Sequence, residues 1–273
     1  PESFTPDLMP VVGEAPELRG YFVAAGMNSV GILTGPGIGK AVAEWIVDGR
    51  PQVDVTGINI DRLQPYQTES AYRAQRVTES LGIVYAPHYP NKPMVTARNQ
   101  KLSPLHDRLA DANAYFVEVS GWESPAWYAP PGEKPEIEEL SWGRENWFEW
   151  WRAEHESVRS AVGLTDMSFM ATFEVTGPDA NRLLEHLSAN RVDGPDETIT
   201  YTQWLNENGR LEADLTVTKH DEDRFWVVAS DTAHRHVEAW MRRHAGDRDV
   251  TITDITADVA QLNVQGPHSR ELL

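Results

Sequence analysis

The stretch GMNSVGILTGPGIGK, residues 26–40, places five glycines between two regular patterns. The apolar run YFVAA, residues 21–25, comes directly before it and predicts a short buried strand. From the end of the stretch onward, apolar side chains recur at the spacing of one helical face, at Ile38, Val42, Trp45 and Ile46. Gly49 and Pro51 stand where this helix is expected to stop. This part of the chain is therefore predicted to be a strand, a glycine-rich loop and a helix.

Two nucleotide-binding motifs can be tested against the loop letter by letter. A Walker loop ending at Gly39 needs a glycine at position 34 and a hydroxyl at position 41, where the chain has Thr34 and Ala41. The dinucleotide fingerprint G-x-G-x-x-G fails too, because the last three glycines run G-x-G-x-G. What remains is a helix N-terminus that glycines leave open to a ligand, with free N–H donors and partial positive charge. Taken alone, the loop slightly favours a tight strand-to-helix turn without a ligand over a ligand-binding loop.

Composition limits the classes of protein and of partner. The 273 residues carry a formal net charge of −18, so duplex nucleic acid, which needs a basic stripe, is disfavoured as a partner. No apolar run approaches the ~20 residues that cross a membrane, so no membrane partner is expected. The absence of cysteine excludes a disulfide framework and a thiolate metal site. A cytoplasmic protein of about two domains is predicted.

The nine histidines show no close metal-binding spacing. His234 and His236 are two residues apart in a helix-like stretch, whereas neighbours on one helical face are three or four apart. Both are therefore interpreted as surface residues, and no metal site is predicted.

The turn residues Asn208 and Gly209 give the strongest short-range signal in the second half of the chain. They lie between two alternating runs, residues 199–205 and 211–220, and predict an antiparallel hairpin. Helical patterns alternate irregularly with further short strands around it, so this half is predicted to be an α+β domain with an antiparallel sheet.

The register of that hairpin separates two faces. A two-residue turn pairs Gln203 with Asp214 and, further on, Tyr201 with Thr216. Because side chains alternate along a strand, the polar ones share one face: Asp214, Thr216 and Thr218. The apolar ones share the core-facing side: Leu211, Ala213, Leu215 and Val217. A half-exposed antiparallel sheet has this pattern with or without a ligand, so the pattern alone does not indicate a site.

A dense aromatic stretch lies between the two halves. A strand is predicted at residues 114–119, followed by a Pro-rich loop. A helix is predicted from about Trp147 to Ala161, with Asn146 as the candidate N-cap. The tryptophans of this region are expected to pack between domains with their N–H groups bonded: Trp122, Trp127, Trp142, Trp147, Trp150 and Trp151.

Taken together, these stretches resemble one known family. RGYFVAAGMNSVGILTGPGIGKAVAEWIVDGRP resembles the last strand, loop and helix of flavin-dependent amine oxidoreductases, and in particular the dimethylglycine and sarcosine dehydrogenase family. ESLGIVYAPHYP and KLSPLHDRL resemble the middle linker domain of that family. GWESPAWYAP, RENWFEWWRAEHESVR, TDMSFMATFEVTGPDANRLLEHLSAN and LNENGRLEADLTVTKH are similar to its folate-binding, aminomethyltransferase-like domain. The matches follow in order over nearly the whole chain.

The resemblance implies a multidomain α+β architecture. Residues 1-60 would be the C-terminal end of the FAD-dependent oxidoreductase domain, residues 61-118 the middle linker domain, and residues 119-273 the N-terminal part of the aminomethyltransferase-like domain. The family's dinucleotide fingerprint and its flavin-attaching histidine match no part of the chain. An internal piece of a longer protein is therefore expected, and by itself it would not hold FAD with useful affinity.

The resemblance also implies site residues. Six residues of the glycine loop would contact FAD: Gly26, Met27, Asn28, Ser29, Val30 and Gly31. Asp214 would lie beside the folate and assist transfer of the one-carbon unit as a catalytic carboxylate. Four further residues would line the folate site: Met170, Tyr201, Glu212 and Ala213. Asp166 is a weaker candidate, since a hydrogen-bond acceptor at the start of a strand explains it equally well.

The implied activity is oxidative demethylation of an N-methylated glycine, dimethylglycine or sarcosine. The implied cofactors are FAD and tetrahydrofolate, with the one-carbon unit passing to tetrahydrofolate. Two alternatives stay open. One is a non-catalytic protein of the same domain order, like the regulatory subunit of pyruvate dehydrogenase phosphatase, and the other is a folate-dependent aminomethyltransferase.

Overall fold

A computed structural model describes residues 2–273 of the chain. These residues form two compact units, each assembled from segments that are distant in the sequence. The first unit consists mainly of residues 9–65 and 170–259, and the second mainly of residues 66–169 and 260–273.

The regular elements are as follows, in chain order. The strands are β1 Val11–Glu14, β2 Phe22–Ala25, β3 Ala114–Val119, β4 Trp122–Tyr128, β5 Gly163–Asp166, β6 Ala171–Thr176, β7 Thr198–Leu205, β8 Leu211–Asp221, β9 Arg224–Ala229, β10 Thr251–Asp254 and β11 Leu262–Gln265. The α-helices are α1 Gly31–Asp48, α2 Ser70–Val84, α3 His106–Asp111, α4 Phe148–Ser160, α5 Ala180–Leu187, α6 His234–Ala245 and α7 Ser269–Leu272. Short 3₁₀ turns lie at Thr56–Ile58, Ile60–Arg62, Pro65–Thr68 and Asp231–Ala233.

An antiparallel five-stranded sheet with the strand order β10-β6-β9-β8-β7 forms the centre of the first unit. One face of the sheet shares a hydrophobic core with α5 and α6. Leu183, Leu184 and Leu187 recur at helical spacing, whereas Phe173 and Val175 alternate along β6, so each element presents one apolar side. All five side chains are buried in this core. The predicted antiparallel α+β domain is confirmed.

The predicted hairpin and its register are confirmed by β7 and β8. Gln203 pairs with Asp214, and Tyr201 pairs with Thr216. Gly209 in the connection has a φ of 69°. Glycine adopts this left-handed conformation without the steric cost that a Cβ imposes.

The connection between these two strands differs from the prediction. It covers residues 206–210 and is longer than a two-residue turn. The pair next to it is Leu205–Leu211, and the following pair begins at Ala213, so a bulge leaves Glu212 without a Cα partner on β7. The bulge restores the predicted register further along β8 but breaks the alternation next to the turn. Leu211, which was predicted to face the core, is therefore 62% exposed.

The glycine-rich stretch contains more helix and less loop than predicted. Helix α1 begins at Gly31, so four of the five glycines belong to it, and three of them lie beyond its first residue: Gly35, Gly37 and Gly39. A Cβ at any of these three positions would meet no other described atom within 4 Å. The loop is confined to residues 26–30. The helix ends at the predicted place, where Gly49 has a φ of 76°.

Burial in this first segment is lower than predicted. Ala41 and Trp45 are the buried side chains of α1, whereas Ile46 is 56% exposed. Ala24 and Ala25 of the predicted buried strand are exposed. The strand β2 pairs only with β1, in a two-stranded sheet, so one of its edges has no neighbour in the described part of the chain.

The second unit contains a strand that the sequence prediction missed. Residues 122–128 were expected to be loop but form β4, which pairs with β3 across a turn at Ser120 and Gly121. The register of this pair shifts where Pro125 lies opposite Phe116. Proline is tolerated at such an irregularity because no ladder hydrogen bond is required of it there.

The aromatic stretch packs within the second unit. The ring centroid of Trp127 lies 6.1 Å from that of Trp147 and 5.5 Å from that of Trp150. The indole of the half-buried Trp147 donates to Glu145 at 2.6 Å, as predicted for these tryptophans, whereas the buried Nε1 of Trp122 has no hydrogen-bond partner among the described residues. Asn146 does not cap α4, because its side chain instead bonds the backbone of two residues in the preceding loop, Glu136 and Glu138.

Candidate functional site

The face of the five-stranded sheet opposite the core carries the polar residues of β8. Ala213, Leu215 and Val217 are buried in the core, so alternation turns Asp214 and Thr216 to the other face. Asp214 is exposed and Thr216 is half-buried. Beyond the bulge, the predicted division of β8 into a polar face and a core face is confirmed.

Tyr201 and Asp214 are joined across this face. The phenol Oη of Tyr201 donates to Oδ2 of Asp214 at 2.9 Å. The two residues are diagonal neighbours, because the direct partner of Tyr201 is Thr216. The hydrogen bond to the carboxylate raises the pKa of Tyr201. The result is an oriented carboxylate beside a 59% exposed aromatic ring, an arrangement suited to accepting or orienting an amine proton next to a flat ligand.

Met170 lies at the same end of the sheet as Asp214. It comes one residue before Ala171, which pairs with Ala229 of β9, and Ala229 pairs in turn with Leu215 of β8. Asp214 comes one residue before Leu215. Because β6 and β8 are separated by one strand, Met170 and Asp214 are about 10 Å apart along the sheet. Alternation along β8 places Asp214 on the face opposite the core, whereas Met170 lies in a bend just before β6 and is half-buried.

The two residues that precede Asp214 on β8 are engaged inside the protein. Ala213 is 5% exposed and its side chain lies in the core, so only its main chain is available to a ligand on the opposite face. Glu212 accepts a hydrogen bond from Nδ2 of Asn206 at 2.8 Å through one carboxylate oxygen. Its other carboxylate oxygen lies 3.1 Å from Nε2 of His236.

His236 was predicted to be a surface residue, and this prediction is wrong. Its imidazole lies between two carboxylates, with Nδ1 2.8 Å from Oδ2 of Asp61 and Nε2 3.1 Å from Oε2 of Glu212. Burial of the ring lowers its pKa, but the hydrogen bonds to Asp61 and Glu212 outweigh this effect and raise the pKa to about 9. His236 is therefore an imidazolium at neutral pH and donates to both carboxylates.

His234 is also buried, at 7% exposure, although it was predicted to lie on the surface. Its Nε2 lies 2.7 Å from Oδ2 of Asp254. Burial raises the pKa of Asp254, but hydrogen bonds from His234 and Thr256 outweigh it and lower the pKa to about 2. The helical spacing of His234, Val237 and Met241 could have indicated this position, since all three lie on the buried side of α6.

Asp166 acts as a local hydrogen-bond acceptor within the second unit. It is 8% exposed and ends β5. One carboxylate oxygen accepts from the hydroxyl of Ser103, and the other accepts from the backbone N–H of Ser168 at 3.0 Å. Asp166 is thus a hydrogen-bond acceptor, as the structural explanation above states, but it lies at the end of a strand and not at its start.

The predicted flavin-contacting residues form the loop before α1. Asn28 and Ser29 have positive φ values of 49° and 68°. Asn28 is buried, and its side chain bonds the backbone of Thr5 and of Gly26 at 2.9 and 2.7 Å. Among the described residues no side chain caps the N-terminus of α1 at Val30. The helix therefore begins with N–H donors that no side chain satisfies.

Residues 2–273 contain neither a cluster of metal-ligating side chains nor a membrane-spanning helix. No group of three or more histidine, cysteine or acidic side chains in that range is arranged to hold a metal ion. No helix in the described range is long and apolar enough to span a membrane.

Three family models match the chain, one after another. The model described as FAD dependent oxidoreductase matches residues 1–45, and that of the FAD dependent oxidoreductase central domain matches residues 48–103. The model of the GCVT N-terminal domain matches residues 105–273, more than half of the chain. The chain belongs to the GCVT N-terminal domain family. The two oxidoreductase models precede that domain in the order that the sequence analysis predicted.

The curated relatives of this GCVT-domain chain cover its whole length. It is 42% identical over 273 residues to 4-methylaminobutanoate oxidase (formaldehyde-forming) of Paenarthrobacter nicotinovorans. It is 33% identical to the mitochondrial pyruvate dehydrogenase phosphatase regulatory subunit of Mus musculus, and 32% identical to the mitochondrial dimethylglycine dehydrogenase of Homo sapiens. These matches cover 100% of this chain but only 33%, 32% and 31% of the relatives, so the chain spans about a third of their length.

The comparisons confirm the resemblance to the dimethylglycine and sarcosine dehydrogenase family, and they confirm the fold class. Among solved structures, the glycine cleavage system aminomethyltransferase T of Bartonella henselae matches with a TM-score of 0.50 and 24% identity. The match covers 64% of this chain and 43% of that one. At this identity the likeness supports the fold alone.

Proposed function

We propose that the whole protein is an FAD-dependent oxidoreductase that demethylates an N-methylated amino acid and passes the one-carbon unit to tetrahydrofolate. The observation that carries the folate half is the hydrogen bond between Tyr201 and Asp214 on the exposed face of the GCVT-domain sheet. The flavin half is supported by the match of the oxidoreductase models to residues 1–103 and by relatives that are N-methyl amine oxidases or dehydrogenases.

The loop before α1 and the N-terminus of the helix are suited to bind the electron-rich edge of a flavin ring. The N-terminus of α1 has N–H donors without a side-chain cap, and an 18-residue helix adds partial positive charge there. Gly26 and Gly31 allow the backbone of this loop to fold closely, since a Cβ on Gly26 would come within 2.4 Å of Thr5. We therefore assign Gly26 to Gly31 to flavin binding. A bound flavin would supply the electron acceptor for oxidation of a C–N bond.

The exposed face of the five-stranded sheet has side chains suited to bind a folate ring and its amine nitrogens. Asp214 would orient a nitrogen of the folate and accept its proton as the one-carbon unit is transferred. Tyr201 would hold Oδ2 of Asp214 in place through its hydroxyl and offer its exposed ring as a stacking surface. Met170 would line the same face. Ala213 would contribute only its main chain, because its side chain lies in the core.

The substrate class is a small amine with an N-methyl group next to a carboxylate-bearing chain. We propose dimethylglycine or sarcosine as the substrate. The 42% identical relative is an oxidase of 4-methylaminobutanoate, so this compound belongs in the same substrate test.

The experiment is anaerobic mixing of the purified full-length protein with each candidate amine. A bound flavin that loses its absorbance with one N-methyl amine, and not with the unmethylated amine, is the expected result. In the presence of tetrahydrofolate, the same turnover should yield methylenetetrahydrofolate. A full-length protein without flavin would contradict the proposal.

A flavin-free result would favour a regulatory protein of the same domain order, since the chain is also 33% identical to a phosphatase regulatory subunit. Folate-dependent transfer without flavin would instead favour an aminomethyltransferase. The oriented carboxylate of Asp214 on an exposed face of the sheet supports a catalytic role over the regulatory one.

A further inference from the structure

His236 joins three separate segments of the first unit. It lies on α6, and its ring bonds Asp61 in the 3₁₀ turn Ile60–Arg62 and Glu212 at the bulge of β8. These two partners are 175 and 24 residues away in the sequence. No local pattern therefore requires a histidine at this position of the helix.

Further hydrogen bonds extend this contact in both directions. On one side, Nδ2 of Asn59 donates to the same carboxylate oxygen of Asp61 at 2.7 Å. On the other side, Nδ2 of Asn206 donates to Glu212 at 2.8 Å. The side-chain oxygen of Asn206 also accepts from the backbone N–H of Asn208 and Arg210 in the hairpin connection, at 3.0 and 3.1 Å. The connection between β7 and β8 is thus tied to residues 59–61 through His236.

The bulge makes Glu212 dependent on this contact. Glu212 has no Cα partner on β7, so the strand ladder does not fix its position there. Asp214 follows two residues later on the same strand. Bulges are known to redirect neighbouring side chains, so the conformation at Glu212 affects how Asp214 approaches Tyr201.

His236 supplies the positive charge between two carboxylates. The carboxylates that face its ring are Asp61 and Glu212, and the other ring nearby is Trp240, at 5.9 Å between centroids. Arg235, the next basic residue along α6, is directed elsewhere, to the carbonyl of Leu63 and to Glu17. Without the charge on His236, two partly buried carboxylates would face a neutral or missing partner, which is unfavourable.

We infer that His236 is a positioning residue: it clamps the β8 bulge to residues 59–61 and thereby holds Asp214 in the orientation that folate requires. This inference rests on the proposed function, because it concerns the folate half of the reaction. It assigns Glu212 to the clamp and not to direct contact with folate.

The test measures binding of 5-formyltetrahydrofolate to the full-length protein. We expect His236→Gln to weaken binding roughly tenfold, since it removes one charged hydrogen bond and the cation. Glu212→Gln should weaken it to a similar extent, and the double variant should be little worse than either single one, because both remove the same clamp. The matched control is His244→Gln, since His244 lies on the same helix and, among the described residues, its ring hydrogen-bonds the backbone carbonyl of Trp240 one turn earlier and no carboxylate.

A pH series separates this role from general stability. In the wild-type protein, binding should weaken as the pH rises through about 9, where His236 loses its proton. His236→Arg keeps the cation and should keep binding at pH 10. The pH series can be measured even if His236→Gln does not fold, because it uses the wild-type protein and His236→Arg.

Unchanged binding in His236→Gln, or an equal effect of His244→Gln, would overturn the inference. So would a wild-type pH profile that is flat through pH 9 to 10. Failure of the wild-type protein to bind the probe at any pH would instead overturn the folate half of the proposed function, and the inference with it.

Discussion

His236 and Tyr201 show how single polar contacts decide the chemistry of this sheet. His236 keeps its proton at neutral pH because two carboxylates outweigh the cost of burying the ring. Tyr201 donates to Asp214 on the opposite, solvent-facing side of the same strand pair. The predicted register and strand alternation put Tyr201 and Asp214 on one face of the hairpin, but they did not predict the hydrogen bond between the two. The sequence did not indicate the His236 contact, because Asp61 is 175 residues away and no spacing rule connects the two.

Stability should depend on pH through His236. Its pKa is raised from 6.5 to about 9 in the folded chain. The contribution to the free energy of unfolding is therefore fully present below pH ~6.5, falls between the two values and is absent above the folded value. A shift of this size corresponds to at most about 3 kcal/mol. Urea unfolding at pH 6 and pH 9.5 should show this loss in the wild-type chain, and His236→Gln should show a smaller pH dependence. Identical pH slopes for the two proteins would contradict the assignment.

Tyr201→Phe removes one hydroxyl and keeps the ring. We expect flavin reduction in the full-length protein to stay the same, while the yield of methylenetetrahydrofolate falls by roughly threefold to tenfold, because Asp214 loses the donor that orients it. Product assay with and without tetrahydrofolate measures both quantities. If Tyr201→Phe has the full wild-type yield, the hydroxyl has no part in the reaction.

At the scale of elements, local signals predicted the β7–β8 hairpin but not its bulge. The Asn-Gly turn and the alternating pattern gave the correct register at Asp214. The bulge at Glu212 depends on a five-residue connection in which the side chain of Asn206 accepts backbone hydrogen bonds. No residue type in this part of the sequence indicates a bulge. Glycines in the sequence suggested a loop up to the start of the helical pattern at Ile38, yet α1 begins at Gly31, because glycine weakens a helix without preventing one.

Two glycine substitutions in α1 should have opposite effects on this chain. Gly37→Ala should raise the free energy of unfolding by ~0.5–1 kcal/mol, since Gly37 lies inside the helix and a Cβ there meets nothing within 4 Å. Gly49→Ala should lower it by about 1 kcal/mol, because Gly49 ends the helix at a φ of 76°. Chemical denaturation of the two variants measures both changes. A loss of stability with Gly37→Ala would mean that α1 is not helical at this position.

At the scale of the whole molecule, the fold class and family were predictable because ordered matches over three domains are far more specific than any single motif. The compact units were not predictable in this way. The first unit joins residues 9–65 to residues 170–259, and such long-range packing leaves no local sequence pattern. The contact of His236 with Asp61 belongs to the same category, because the two residues are 175 positions apart, whereas the helical spacing of His234 on α6 could have indicated its burial.

The most direct measurement is the product balance of the full-length protein with Asp214→Ala. We predict that flavin reduction by the N-methyl substrate stays within about twofold of wild type, whereas the yield of methylenetetrahydrofolate per substrate oxidised falls by roughly 100-fold, the scale expected for a general acid–base group. Asp247→Ala, which removes an exposed carboxylate after α6, is the matched control and should keep the wild-type balance. Equal losses of flavin reduction and folate product in Asp214→Ala, or no loss of either, would contradict the central claim.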